Sequence, residues 1–159
     1  MNNKKYMQQN YTIINFFESE NKEYWLEKIK ESDWGAGTFL YEIIKNGSVN
    51  KLIGETSKIL LLIKDKELIS YCTLAEKDDI QPTNLTPWIG FLYTFPMYRG
   101  QRYSEKLLGF AEILAKKEGN THIYISTNHI GLYEKFGYEF FGMMKDMNDE
   151  DSKVYRKTL

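Results

Sequence analysis

The stretch Pro96-Met97-Tyr98-Arg99-Gly100-Gln101-Arg102-Tyr103-Ser104-Glu105-Lys106-Leu107-Leu108 joins an apolar run on its N-terminal side to an amphipathic one on its C-terminal side. Before it, Trp88 to Phe95 is rich in aromatic and β-branched residues and reads as a strand. After it, Leu107, Phe110, Ala111, Leu114 and Ala115 recur at spacings of three and four until Gly119, which predicts a helix with a glycine C-cap. A loop running from a strand into a helix start exposes unpaired N–H groups and the positive end of the helix dipole, a natural cradle for an anion. Arg99 adds a fork of donors suited to phosphate oxygens, and Gly100 allows close backbone approach. The same residues also suit a solvated loop with two surface arginines.

Working outward, the elements fall in a definite order. Tyr11 to Phe17 reads as a strand, and Lys22 to Glu31 and Ala36 to Lys45 read as helices, the second stopping at Asn46-Gly47. Lys58 to Lys64, Leu68 to Glu76 and Trp88 to Phe95 read as strands, with Asp65-Lys66 a tight hairpin between the first two. Beyond the long helix come a strand at His122 to Ser126, a short helix at Leu132 to Phe136 ended by Gly137, and strands at Tyr138 to Met144 and Val154 to Lys157. The sum is β-α-α-β-β-β-α-β-α-β-β. That is an α+β fold: a mixed, mostly antiparallel sheet flanked by helices on both faces.

Composition bounds the rest. At 159 residues, 1–159 is expected to form one domain with one core. A formal net charge of -1 gives no global field for nucleic acid or an anionic membrane. One cysteine, Cys72, and two histidines, His122 and His129, offer neither a disulfide framework nor a metal-ligand cluster. The N-terminal MNNKKYMQQNYTIINFF is too polar for a signal peptide, and the longest aliphatic run, Ile59 to Ile63, is far short of a membrane span. A cytoplasmic location is the expectation.

With this order and this junction, the sequence resembles the GNAT superfamily of N-acetyltransferases. In that family the junction carries Arg/Gln-x-x-Gly-x-Gly/Ala, whose amides bind the pyrophosphate of acetyl-CoA. Arg99 and Gly100 match, Pro96 stands at the usual proline position, Arg102 replaces the family glycine, and Ser104 replaces Gly/Ala. Arginine is tolerable there if the backbone is already helical, with its side chain folded outward to a phosphate. A second segment, Asn128-His129-Ile130-Gly131-Leu132-Tyr133-Glu134-Lys135-Phe136-Gly137-Tyr138, is similar to the family's Asn-x-x-Ala-x-x-Tyr-x-x-x-Gly-Phe, with the small residue and the tyrosine shifted by one.

The resemblance implies acetyl-CoA as co-substrate, no metal, and N-acetylation of a primary amine of a small molecule or peptide by direct attack. It assigns cofactor contacts to Leu92, Tyr93, Thr94, Arg99, Gly100, Gln101, Arg102, Tyr103, Ser104 and Asn128. Leu92, Tyr93 and Thr94 lie on the strand that splays from its neighbour, and Gly90 marks either the bend or a tight packing contact. The alternative class is a non-catalytic acyl-CoA-binding sensor or interaction module of the same fold. A homodimer is left open.

The chemistry asks first for a base. An alkylamine of pKa about 10.4 holds its proton at pH 7 by about 4.6 kcal/mol, whereas protonating a departing thiolate of pKa about 8.5 gains only about 2 kcal/mol. Tyr133 is the candidate acid, or else a packed aromatic. For the base, LAEKDD offers Glu76, Asp78 and Asp79; Glu76 leads because it alternates with Leu74 and Cys72 and so would point to the cleft, the competing reading being a solvated strand end. LAEKDD and the acidic DMNDED (Asp146 to Asp151) border the acceptor side in the family, which implies a cationic amine, though charged loops serve solubility as well. Tyr24, Trp25, Trp34, Tyr71 and Trp88 are candidates to wall that cleft or to fill the core.

Overall fold

The structure is a computed structural model that describes residues 10–159; the first nine residues, on which part of the signal-peptide reading rests, lie outside the described residues. Its strands are β1 (Thr12–Asn15), β2 (Lys58–Lys64), β3 (Glu67–Ala75), β4 (Trp88–Thr94), β5 (His122–Thr127), β6 (Glu139–Lys145) and β7 (Asp151–Thr158). Its helices are α1 (Lys22–Lys30), α2 (Gly35–Lys45), α3 (Val49–Ile53) and α4 (Tyr103–Lys117). The strands form one seven-stranded sheet in the order β1-β2-β3-β4-β5-β7-β6. Every neighbouring pair is antiparallel except β4 and β5, which run parallel.

The run KILLLIK of β2 is apolar throughout because it is buried on both faces. Ile59, Leu61 and Ile63 join Trp25, Ile29, Leu40 and Tyr41 beneath α1 and α2. Leu60 and Leu62 join Leu107, Leu108, Ala111 and Ala115 beneath α4. A period of two thus feeds two cores, one per face, where the length suggests one, because a sheet covered by helices on both sides separates them; burying each aliphatic side chain contributes about 1.5–3 kcal/mol. Asp65 and Lys66 turn the β2–β3 hairpin with φ of 51° and 63°, both left-handed, as a two-residue hairpin of primed type requires.

Helix α4 ends as its sequence indicates. Gly119 adopts φ 89°, its N–H donates to the Lys116 carbonyl at 3.0 Å, and the Asn120 N–H donates to the Ala115 carbonyl at 3.1 Å, the paired bonds of a glycine-terminated helix. Two expectations need correction. Leu132 to Phe136 is not a helix but a single 3-10 turn, Glu134–Phe136, because Gly131 (φ 85°) and Gly137 (φ 89°) bracket it with left-handed backbone. Helix α3 was not anticipated, since VNKLI is too short to show a periodicity.

The feature that positions the site is the parting of β4 from β5. Only Trp88 with Tyr124 and Ile89 with Ile125 pair across them. Opposite, β4 carries a bulge against β3: Thr73 faces Gly90 and Tyr71 faces Tyr93, so Cys72 alone opposes Phe91 and Leu92. Phe91 takes φ 50° to make it. From Gly90 onward the β5-side edge of β4 opens into a cleft.

Candidate active site

The cleft between β4 and β5 has a volume of about 640 Å³. Its floor is Ile89 to Leu92 of β4 and Ile125 to His129 at the end of β5, with Tyr133 beside them. The α2 side closes it with Trp34, Phe39, Leu52 and Ile53, and the far rim with Asp78, Asp79 and Met147. That rim is tied together: the Met147 N–H donates to the Asp79 carbonyl at 2.9 Å, and Ile80 bridges to Asp146.

In sequence the end of β4 is followed by a short loop and the start of α4. The first helical bond runs from the Lys106 N–H to the Arg102 carbonyl at 3.3 Å, and no side chain caps the helix. The amides of Tyr103, Ser104 and Glu105 therefore have no partner within the helix. Arg102 sits at the cap with φ 63° and ψ 23°, left-handed, so the expectation of helical backbone there is corrected: Arg102 holds the conformation that glycine adopts freely, at a cost of about 1–2 kcal/mol for any other residue. Arg99, Gly100, Gln101 and Arg102 are all exposed, and Tyr103 and Ser104 are half-buried. The Nε of Arg99 donates to the Thr94 carbonyl at 2.9 Å, and its guanidinium lies 5.5 Å from the Tyr93 ring centroid. This bracing fixes the loop against the end of β4. Unpaired helix amides with two exposed guanidinium groups suit a pyrophosphate.

Of the three β4 positions singled out in the sequence, Leu92 alone lines the cleft. Tyr93 is buried, stacked on Trp34 at 5.4 Å, and its carbonyl accepts from the Ser70 hydroxyl at 2.7 Å. The carbonyl of Thr94 is taken by Arg99. Gly90 is a packing position and the bulge itself falls one residue later.

Tyr133 and Asn128 both face the cleft. Tyr133 is buried, edge-on to Tyr138 at 6.0 Å, and its phenol is pushed up to about 12, mainly by burial and secondarily by the neighbouring Cys72. It stays protonated at any ordinary pH, the state a proton donor requires. The backbone turns sharply here, with the Phe136 and Tyr138 N–H groups both donating to the Tyr133 carbonyl.

Glu76 does not point into the cleft. It lies one residue past the end of β3, so the alternation that aimed it has already stopped. Its Oε1 accepts from the Thr56 N–H at 2.9 Å and the Thr56 hydroxyl at 2.6 Å, which hold its carboxyl below the usual range. Asp79 does line the cleft rim, and so does Asp78. Half-buried, it is held well above the usual carboxylate range, first by loss of water and then by the charge of Asp79. The buried hydroxyl of Thr73 stands close by with no hydrogen-bond partner.

Other expectations divide. Of the aromatics proposed for the cleft, Trp34 lines it, while Trp25, Tyr71 and Trp88 are core and Tyr24 donates to the Lys66 carbonyl at the surface. In the 146–151 loop, only Met147 reaches the cleft. Asp146 caps its own loop through the Asn148 and Glu150 N–H groups, and Asp151 pairs with Lys145 at 2.8 Å. Phe39, Phe91, His129 and Met147 were missed as site residues; His129, adjacent to Asn128 in the second motif, carried the one usable signal. Among the described residues no group of three His, Cys, Asp or Glu side chains is placed to hold a metal, and no helix is long and apolar enough to cross a membrane.

The family model of the acetyltransferase (GNAT) family matches residues 8–138. The chain belongs to that family. An acetyltransferase from Streptococcus agalactiae superposes with a TM-score of 0.65 at 20% identity, over 95% of this chain and 99% of that one. Aminoglycoside 6'-acetyltransferase type Ii gives 0.69 at 17% identity, over 92% and 96% of the two chains. An aminoglycoside 6'-N-acetyltransferase complexed with coenzyme A gives 0.64 at 14% identity, over 92% and 96%. At these identities the likeness is one of fold. No curated protein sequence matches the chain.

Proposed function

We propose that this chain is an N-acetyltransferase that moves the acetyl group of acetyl-CoA to a primary amine. The observation that carries the reading is that Asp78 and Tyr133, a carboxyl held well above the usual carboxylate range and a phenol locked in its protonated form, line one cleft along β4, the strand that leads through the 99–102 loop into α4. Bound acetyl-CoA supplies an activated acyl carbon and a thiol leaving group.

The chain's own residues do the rest. The unpaired amides of Tyr103 and Ser104, with Arg99, Gly100, Gln101 and Arg102, hold the pyrophosphate. Asn128 and the open edge of β4 at Leu92 orient the arm that reaches into the cleft. Asp78 takes the ammonium proton of the acceptor, and its raised pKa narrows the gap to the amine that the proton transfer must cross. As the new N–C bond forms and the C–S bond breaks, the nitrogen gives its second proton to solvent, and Tyr133 hands its phenolic proton to the sulfur and takes one back from solvent. Trp34, Phe39 and Phe91 exclude water from the reacting centre.

The test is thiol release from acetyl-CoA by the purified chain across a panel of amines. Amine-dependent release supports the proposal. Calorimetric binding of acetyl-CoA with no release against any amine would instead establish an acyl-CoA-binding module.

A further inference from the structure

The cleft's acceptor half is unlike a site built for several charges. Its lining carries two acidic side chains, Asp78 and Asp79, adjacent in sequence and on one rim. The remainder of that half is Trp34, Phe39, Leu52, Ile53, Phe91 and Met147. Phe39 stacks on Phe91 at 6.3 Å with their planes 17° apart, and Trp34 is held flat by its stack on Tyr93 at 12°. Two aromatic rings, each held by its own stack, thus line the cleft that this carboxylate pair rims.

Three other acidic residues near this rim are engaged elsewhere. Asp146 caps its own loop, Asp151 pairs with Lys145, and Glu76 is engaged by Thr56. Asp78 holds its proton more tightly than an ordinary carboxyl, first because it is buried and then because Asp79 stands beside it, so it favours carrying one ammonium over attracting several. With Asp78 taken by the reacting ammonium, a second has only Asp79 to pair with, and any further ammonium brought into this half would lose its water against apolar walls with no partner, at a cost of several kcal/mol per ion.

We propose, building on the N-acetyltransferase reading, that the acceptor is a monoamine carried on an apolar, aromatic body, its ammonium against Asp78 and its body between Trp34 and Phe39. Polycations are disfavoured by the same walls, polyamines and also aminoglycosides, which the names of two structural neighbours carry.

The experiment compares kcat/KM for phenethylamine, spermidine and an aminoglycoside, and repeats the comparison in Phe39→Ala and Trp34→Ala. Phenethylamine should lead by about tenfold or more, as one apolar contact is worth 10–200-fold in such a pocket. Each variant should lose that lead through the amine KM, leaving the acetyl-CoA KM in place. A lead for spermidine or the aminoglycoside overturns the inference and leaves the acetyltransferase reading standing. Calorimetric titration of the three amines into the CoA-loaded chain reads the pocket without turnover. If no amine releases thiol, phenethylamine binding that Phe39→Ala abolishes still supports this acceptor site while the catalytic reading falls; tighter spermidine binding, or none by either amine, overturns it.

Discussion

The carboxylate of Asp78 rests on the bare α-carbon of Gly90. A β-carbon at residue 90 would overlap Oδ1 of Asp78, and would stand 3.0 Å from both Cγ of Asp78 and Oγ1 of Thr73. The glycine is therefore a seat for the acidic side chain, in a strand where the backbone itself accepts any residue. Gly90→Ala should leave the protein folded, since the group displaced is the end of a side chain, with a stability cost near the low end of the about 1–3 kcal/mol of overpacking. Turnover should fall at least tenfold as Asp78 swings away. Steady-state kinetics beside a thermal melt checks this, and unchanged kcat would show that the seat has no catalytic consequence.

Asp78→Asn separates function from stability. General-base catalysis contributes about 10²–10⁴-fold, so kcat/KM should fall by that order, and the rise of activity with pH that Asp78 ionisation causes should vanish. Because the folded-state pKa of Asp78 is raised above its unfolded value, its favourable contribution is complete below about pH 4 and is lost as pH rises through the folded pKa. The asparagine variant should then melt higher than the parent at pH 7 to 8 and no higher near pH 4. Equal melting temperatures at both pH values would contradict the burial assigned to this carboxyl. Glu76→Gln, removing a carboxylate that Thr56 already binds, should leave the pH–rate profile in place.

Tyr133→Phe removes the proton donor and keeps the ring. We expect kcat to drop by about 10²-fold or more with acetyl-CoA affinity within twofold of the parent, read by calorimetry. The parent should show no alkaline fall in kcat from this phenol until pH approaches about 12. A variant with parental kcat would reduce Tyr133 to a packing residue.

Arg102 is the departure from the family pattern, and its backbone makes two substitutions informative. Arg102→Ala removes the charge and keeps the left-handed strain; Arg102→Gly removes both. Relieving about 1–2 kcal/mol of strain outweighs the entropy cost of a new glycine, about 0.5–1 kcal/mol, so the glycine variant should melt above the alanine one. If the guanidinium meets a phosphate, acetyl-CoA should bind both variants more weakly and with a shallower salt dependence. Parental affinity in both would free Arg102 from that role.

Periodicity carried most of the fold. Lys58 to Lys64 is β2 residue for residue, and the stripe from Leu107 to Ala115 with Gly119 placed α4 and its end. Local pattern failed where a single residue's conformation or a distant contact decides. Glycine spacing limited Leu132 to Phe136 to one turn, and alternation carried one residue past β3 misdirected Glu76. The rim that carries Asp78 is tied to the Met147 loop through the Asp79 carbonyl, a contact made across most of the chain's second half. The left-handed backbone of Arg102 has no sequence signal of its own, because arginine is read as a helix former.

The most direct measurement follows isotope-labelled acetyl-CoA by NMR in the presence of the purified chain and phenethylamine. The account predicts that the labelled carbonyl leaves the thioester and appears in an amide, one for each thiol released, in the parent and not in Asp78→Asn. Label that stays in the thioester while acetyl-CoA is bound, or that appears as free acetate independent of amine, would contradict it.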